Sequence, residues 1–60
     1  MVDVKKAREA KGIGQNALAN ETGVTQQYIW LIENGQRRPS VEVAKKIANV
    51  LGFDWTEFFK

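Results

Sequence analysis

Apolar residues recur every three or four positions along most of the chain, which is the spacing of one face of an α-helix. The clearest stripe consists of Val41, Ala44, Ile47, Ala48 and Leu51. No segment shows the strict alternation of apolar and polar residues that is typical of a half-buried strand. The pattern therefore predicts an all-α protein.

Glycines and capping residues divide this pattern into short helices. A left-handed glycine commonly ends a helix, whereas Ser, Thr or Asp commonly caps the start of one. Asp54 and Glu57, three positions apart before an apolar pair, resemble a capping box. Helices are expected at residues 2–11, 15–22, 26–34 and 41–51. A last short helix is expected to follow the Asp54 cap and to end at residue 59. The expected architecture is a compact five-helix bundle.

The chain has 60 residues, which predicts one small domain covering residues 1–60. Because it contains neither histidine nor cysteine, the commonest general base, nucleophilic thiol and metal ligands are missing. The carboxylate pair Asp54 and Glu57 is already explained by capping. We therefore expect no enzyme activity, no metal, no cofactor and no small-molecule ligand.

Membrane insertion is not expected, because no apolar run approaches the roughly 20 residues that span a bilayer. No signal-peptide pattern is found either. Both observations favour a cytoplasmic protein.

The net charge is only +2, but the cations are unevenly distributed. Lysines and arginines crowd the first eleven residues and reappear from Arg37 onward, whereas none lies between Gly12 and Gln36. An anionic polymer would therefore meet cations mainly on either side of this central segment. A solvated surface with a slight basic excess is the alternative.

Residues 23–25, Gly-Val-Thr, join two expected helices of about eight residues each. Two short helices with a glycine hinge match a helix-turn-helix, in which the second helix can enter the major groove of DNA. Spacing alone does not decide the matter, because any compact helical bundle needs short connections.

The order of features from Val4 to Phe59 resembles the phage repressor and Cro type of helix-turn-helix, the XRE family. The resemblance lies in the spacing of Gln15, Ala19, Gly23 and Val24, in IENG at 32–35, in the basic turn through Pro39 and Ser40, and in KIANVLG at 46–52. It implies a helix-turn-helix at about residues 15–34. It also implies that the third helix recognises double-stranded DNA, usually as a dimer on a two-fold-related operator.

The resemblance also implies roles for individual residues. Gln15 is similar to the residue that contacts phosphate and braces the first glutamine of the third helix. Gln26 and Gln27 are similar to the base readers, and Asn34 is similar to a phosphate contact. Arg8 and Glu33 are similar to a structural ion pair between the first and third helices, and for Arg8 we favour this role over a DNA contact.

A helical wheel of the third helix places Ile29 and Ile32 on one side. The opposite side contains Gln27, Trp30, Leu31 and Asn34, with Gln26 at its edge and Tyr28 nearer the core boundary. A glutamine amide can pair with N6 and N7 of adenine, so both glutamines are candidate base contacts. The alternative is that they are ordinary polar residues at a helix start.

Trp30 and Leu31 depart from the family pattern, in which polar or basic residues are more usual at these positions. They could contact thymine methyl groups and so favour A·T-rich half-sites. They could also form a protein-binding patch, since neighbouring exposed apolar groups often mark an interface. In a third interpretation, Trp30 folds against the following turn or the fourth helix and belongs to the core.

Arg37, Arg38 and the Ser40-capped start of the fourth helix form a candidate phosphate site. Guanidinium groups and the free N–H groups of a helix N-terminus both bind phosphate. The alternative is a solvated loop. Four C-terminal aromatic residues are expected to serve the core for the most part: Phe53, Trp55, Phe58 and Phe59.

Together these observations predict a sequence-specific DNA-binding regulator of transcription, with repression as the expected mode. We expect a homodimer on DNA and a weak dimer, or none, in free solution. The alternative is a protein-interaction module on the same fold that uses Trp30 and Leu31.

Overall fold

The computed structural model describes residues 2–60, which form four α-helices followed by a 3-10 helix. The helices are α1 (Val4–Ala10), α2 (Gln15–Thr22), α3 (Gln26–Glu33) and α4 (Val41–Leu51), and the 3-10 helix spans Trp55–Phe59. The all-α expectation is confirmed. The structure has four α-helices rather than the five helices expected, because the last element is a short 3-10 helix.

The starts of three α-helices are set by capping side chains. Asp3, Thr25 and Ser40 accept hydrogen bonds from the backbone N–H groups three residues later. The Asp3 cap, which the sequence analysis missed, makes α1 begin at Val4 rather than Val2. Each cap satisfies one of the N–H groups that a helix start leaves without a partner.

The capping box expected at the last helix is not formed. Asp54 accepts hydrogen bonds from the backbone N–H and the hydroxyl of Thr56, at 2.9 and 2.7 Å. Glu57 pairs with Lys60 instead, at 2.7 Å. The carboxylate therefore closes a tight turn two residues ahead, which leads into a 3-10 helix rather than an α-helix.

The turn between α2 and α3 depends on Gly23, whose φ of 72° lies in the left-handed region. The N–H of the next residue, Val24, donates a hydrogen bond to the carbonyl oxygen of Ala19 at 3.1 Å, and this bond ends α2. Only three residues are then needed before α3 starts at Gln26. This short connection holds α3 across α2.

The core lies between α2, α3 and α4, each of which contributes one large, fully buried side chain: Leu18, Ile29 and Ile47. Val4 from α1 and Phe58 from the 3-10 helix close its two open sides. Phe53, Trp55 and Phe59 are partly buried against this core. Val41 is the exception to the expected apolar stripe: it is 49% exposed, because it is the first residue of α4 and lies at the end of the packed region.

Within residues 2–60, no helix is both long and apolar enough to cross a membrane.

Candidate nucleic-acid interface

The N-terminal half of α3 presents polar side chains to solvent. Gln26 and Gln27 are exposed, whereas Ile29 and Ile32 on the other side of the helix are buried. The first turn of α3 is fixed by the Thr25 cap, whose hydroxyl oxygen accepts the N–H of Tyr28 at 3.0 Å. Both glutamines therefore stand on a capped helix end and are exposed to another molecule.

Trp30 is 42% exposed and is not among the residues packed against the core. The interpretation that it folds into the core is therefore wrong. Leu31 is half-buried and also lies outside the core cluster. Trp30 and Leu31 therefore add apolar area to the solvent-exposed surface of α3, which also carries Gln26 and Gln27.

Arg8 of α1 and Glu33 of α3 form a two-pronged ion pair beneath this surface. The guanidinium donates from Nε to Oε2 at 2.7 Å and from Nη2 to Oε1 at 3.2 Å. A third guanidinium nitrogen, Nη1, donates to the carbonyl oxygen of Ile13 at 2.9 Å. The side chains of Arg8 and Glu33 are only 10% and 2% exposed, so Arg8 is occupied within the fold.

The charge on Arg8 is secured by this environment. The hydrogen bond to Glu33 raises the pKa of the guanidinium further above its usual range, and it outweighs the opposing effect of burial. A permanently charged guanidinium keeps a fixed geometry around the carboxylate.

Two amide side chains connect the ion pair to the surface. Gln15, the first residue of α2, donates from Nε2 to Glu33 Oε1 at 2.9 Å. Its Oε1 in turn accepts a hydrogen bond from Nε2 of Gln26. The structure thus brings four of the candidate residues into one hydrogen-bonded series: Arg8, Glu33, Gln15 and Gln26.

The turn between α3 and α4 carries the two candidate phosphate-binding arginines. Both are exposed, and each guanidinium lies over an aromatic ring: Arg37 over Tyr28 at 4.6 Å and Arg38 over Phe59 at 5.8 Å from the ring centre. Stacking leaves the edge of a guanidinium available for an anion. Sequence reasoning missed both rings, because the contacts join positions that share no helical spacing.

Asn34 and Ser40 lie on either side of this turn. Asn34 Nδ2 donates to the carbonyl oxygen of Trp30 at 2.8 Å, which helps to end α3. Ser40 Oγ accepts from the N–H of Val43 at 3.2 Å, while its own hydroxyl hydrogen stays available as a donor. Both residues are exposed.

Two lysines have local roles that the sequence did not reveal. Lys45 lies over the ring of Trp55, 5.0 Å from its centre. The end of the Lys11 side chain lies near Gly52, where α4 ends, so its charge faces the negative end of that helix dipole.

A protein-family model described as helix-turn-helix matches residues 4–58. The chain belongs to this helix-turn-helix family. The resemblance to the phage repressor and Cro type is thereby confirmed, and the match covers the four α-helices and all but the last residue of the 3-10 helix.

Curated relatives of this helix-turn-helix chain carry related names. The chain is 49% identical over 57 residues to the uncharacterized HTH-type transcriptional regulator YqaF of Bacillus subtilis (strain 168), covering 95% of this chain and 75% of YqaF. It is 39% identical over 57 residues to the HTH-type transcriptional regulator SlrR of the same organism, covering 93% of this chain but 38% of SlrR. No solved structure matches the chain.

A third relative is also similar. An uncharacterized HTH-type transcriptional regulator of Methanothermobacter thermautotrophicus is 37% identical over 54 residues, covering 90% of this chain and 78% of that protein. The names of all three relatives indicate regulators rather than enzymes.

Proposed function

We propose that this chain is a sequence-specific double-stranded DNA-binding regulator of transcription that acts as a repressor, with α3 in the major groove. The observation that carries the proposal is the exposure of Gln26 and Gln27 at the N-terminal end of α3, while Ile29 and Ile32 of the same helix are buried. Residues near the N-terminus of a recognition helix reach base edges. The family membership and the names of the relatives support the same function.

Phosphate contacts come from both flanks of α3. Gln15 approaches the backbone from the start of α2, and Asn34, Arg37, Arg38 and Ser40 approach it from the α3–α4 turn. All five are exposed or half-exposed donors. Contacts of this kind set the register of a protein on the duplex, whereas base contacts read the sequence.

Trp30 and Leu31 complete the base-reading surface. Neither side chain belongs to the packed core, and Trp30 is the more exposed of the two. Apolar groups in the major groove contact the methyl group of thymine. The operator is therefore proposed to contain A·T pairs beneath the middle of α3.

The first experiment is a fluorescence-anisotropy titration of a labelled random-sequence duplex pool at several salt concentrations. Binding should weaken with salt, with a log–log slope corresponding to about 3–6 neutralised phosphates. Absence of binding even at low salt would contradict the proposal.

A pair of double variants locates the phosphate site. The variant Arg37→Ala/Arg38→Ala should bind every sequence more weakly, by about the same factor for each. It should also reduce the log–log slope of affinity against salt concentration by about 2. The variant Lys5→Ala/Lys6→Ala removes the same charge from exposed positions of α1 and serves as the control. An equal loss in both variants would indicate general charge attraction instead of a defined contact.

The exposure of Trp30 favours a second candidate function, a protein-interaction module on the same fold. The variant Arg37→Ala/Arg38→Ala separates the two, since it should leave an apolar protein contact at Trp30 and Leu31 largely intact. Absence of duplex binding by the wild type, together with binding of a protein partner that survives Arg37→Ala/Arg38→Ala, would favour the second candidate.

A further inference from the structure

The hydrogen-bonded series under α3 leads from a buried charge to a surface amide. The Glu33 side chain is 2% exposed, and its Oε1 accepts hydrogen bonds from Arg8 Nη2 at 3.2 Å and from Gln15 Nε2 at 2.9 Å. Gln15 Oε1 accepts the next hydrogen bond, from Nε2 of the exposed Gln26. The amide at the DNA-facing surface is therefore connected through a single residue to a carboxylate inside the fold.

Each amide in this series can point in only one direction. A carboxylate accepts hydrogen bonds and has no hydrogen to donate, so Gln15 must turn its Nε2 toward Glu33. Its Oε1 then faces Gln26. Because an amide oxygen also only accepts, Gln26 must present its own Nε2. The orientation of Gln26 thus follows from the chemistry of Glu33.

The orientation of Gln26 decides which groups remain for a base. When Gln15 takes the Nε2 hydrogen that points away from Oε1, the Oε1 atom and the second N–H remain together on one edge of the carboxamide. This edge fits adenine, which offers a donor at N6 and an acceptor at N7. In the same position guanine offers the acceptor O6, which would face the amide oxygen.

We propose that Glu33 is a positioning residue for base selection: acting through Gln15, it holds Gln26 in the orientation that selects adenine over guanine. Without this restraint, Gln26 can rotate by half a turn about its terminal bond and donate to O6 instead. The proposal rests on the DNA-binding function proposed above, and it adds to that function the buried group that sets the orientation of Gln26.

The test begins with selection of bound duplexes from a random pool by the wild-type protein and by Gln26→Ala. The position whose preference disappears in Gln26→Ala is the one that Gln26 reads. At that position the wild type should bind adenine about tenfold more tightly than guanine. If Gln26→Ala changes no position, the proposal is overturned while the DNA-binding function stands.

Two variants then remove the restraint. Gln15→Met keeps the ion pair of Arg8 and Glu33, and Glu33→Gln replaces the carboxylate by a group that can also donate. Both should reduce the adenine preference at that position to about twofold or less. Gln15→Met, which keeps the ion pair, should also leave the other positions unchanged. Retention of the preference by a folded Gln15→Met would overturn the proposal.

The readout separates positioning from other effects. Loss of a phosphate contact at Gln15 weakens binding to every sequence alike. This effect therefore cancels when the affinity for the adenine duplex is divided by the affinity for the guanine duplex. Asn16→Ala, at an exposed neighbour in the same turn of α2, is the matched control and should keep the full preference.

The orientation itself can be measured without DNA. Through-hydrogen-bond scalar couplings should connect Gln15 Nε2 to the Glu33 carboxyl carbon, and Gln26 Nε2 to the Gln15 carboxamide carbon. The reverse coupling, from Gln15 Nε2 to the carboxamide carbon of Gln26, would overturn the proposed polarity. This measurement also distinguishes failure of the positioning from failure of the proposed function, which would appear as no duplex binding by the wild type.

Discussion

At the scale of single residues, the Glu33 carboxylate links three elements of the structure. It accepts hydrogen bonds from Arg8 on α1 and from Gln15 on α2 while it belongs to α3. The Coulomb attraction within a buried ion pair is largely offset by the cost of removing both charges from water. The pair therefore orients these helices more than it stabilises the fold.

This balance predicts different results for single and double substitutions. Arg8→Met should lower the free energy of unfolding by about 3 kcal/mol or more, because it leaves the Glu33 charge buried without its partner. Arg8→Met/Glu33→Leu, which replaces both charges by apolar groups, should recover most of that loss. Urea unfolding followed by circular dichroism measures both. Equal destabilisation in the two variants would show that the pair stabilises the fold by itself.

Asp54 predicts a dependence of stability on pH. The hydrogen bonds from the hydroxyl and then the backbone N–H of Thr56 lower the pKa of Asp54 below its usual value. A lowered folded-state pKa gives a stabilisation that is complete above the unfolded-state pKa and is lost as the pH falls through the folded-state pKa. Between about pH 5 and pH 2, the melting temperature should fall less steeply in Asp54→Asn than in the wild type. Parallel curves would contradict this role.

Residue contacts were only partly predictable. The ion pair of Arg8 and Glu33 could be expected from the family resemblance. The hydrogen bond between Gln15 and Glu33 and the stacking of Arg37 on Tyr28 could not. Each joins side chains from different elements, and the distance between them depends on how the helices cross, which no local spacing encodes.

At the scale of elements, boundaries were predicted well where a cap and a glycine mark both ends. α4 lies between Ser40 and Gly52 and was predicted correctly, because the Ser40 hydroxyl and the left-handed Gly52 act within the element itself. α1 was predicted too long at both ends, since the Asp3 cap was overlooked. The 3-10 character of the last helix was not predicted, because the Asp54 carboxylate accepts the backbone N–H of Thr56 rather than that of Glu57.

The start of α2 can be improved. Its N-cap, Gly14, makes no side-chain hydrogen bond, and its φ of −85° suits any residue. A Cβ at this position would meet nothing within 4 Å. Gly14→Ser should therefore raise the free energy of unfolding by about 0.5–1 kcal/mol, through a new cap and a less flexible unfolded chain.

Gly14→Ala is the matched control for this element. It shares the reduced freedom of the unfolded chain but cannot cap, so it should be less stable than Gly14→Ser by about 0.5 kcal/mol or more. Thermal unfolding of both variants beside the wild type gives the comparison. If the alanine variant is as stable as the serine variant, the helix start does not gain from a cap.

At the scale of the whole molecule, size limits how the protein can read DNA. The backbone measures 25 × 20 × 18 Å along its principal axes. Successive major-groove segments on one face of a duplex lie about 34–36 Å apart. With one recognition helix per copy, reading two such segments requires two copies. This is the physical basis for proposing a homodimer on DNA.

The spacing of half-sites tests this arrangement. Two copies of the selected half-site placed about 10 base pairs apart lie on the same face of the duplex, where two chains can touch. Moving them by about 5 base pairs turns the second site to the opposite face. Titrations monitored by anisotropy should therefore show cooperative binding at the first spacing and independent binding at the second. Sedimentation of the free protein should show mainly monomer, because a contact that needs DNA to align it is weak without DNA. Equal binding at both spacings would indicate that each chain reads its half-site alone.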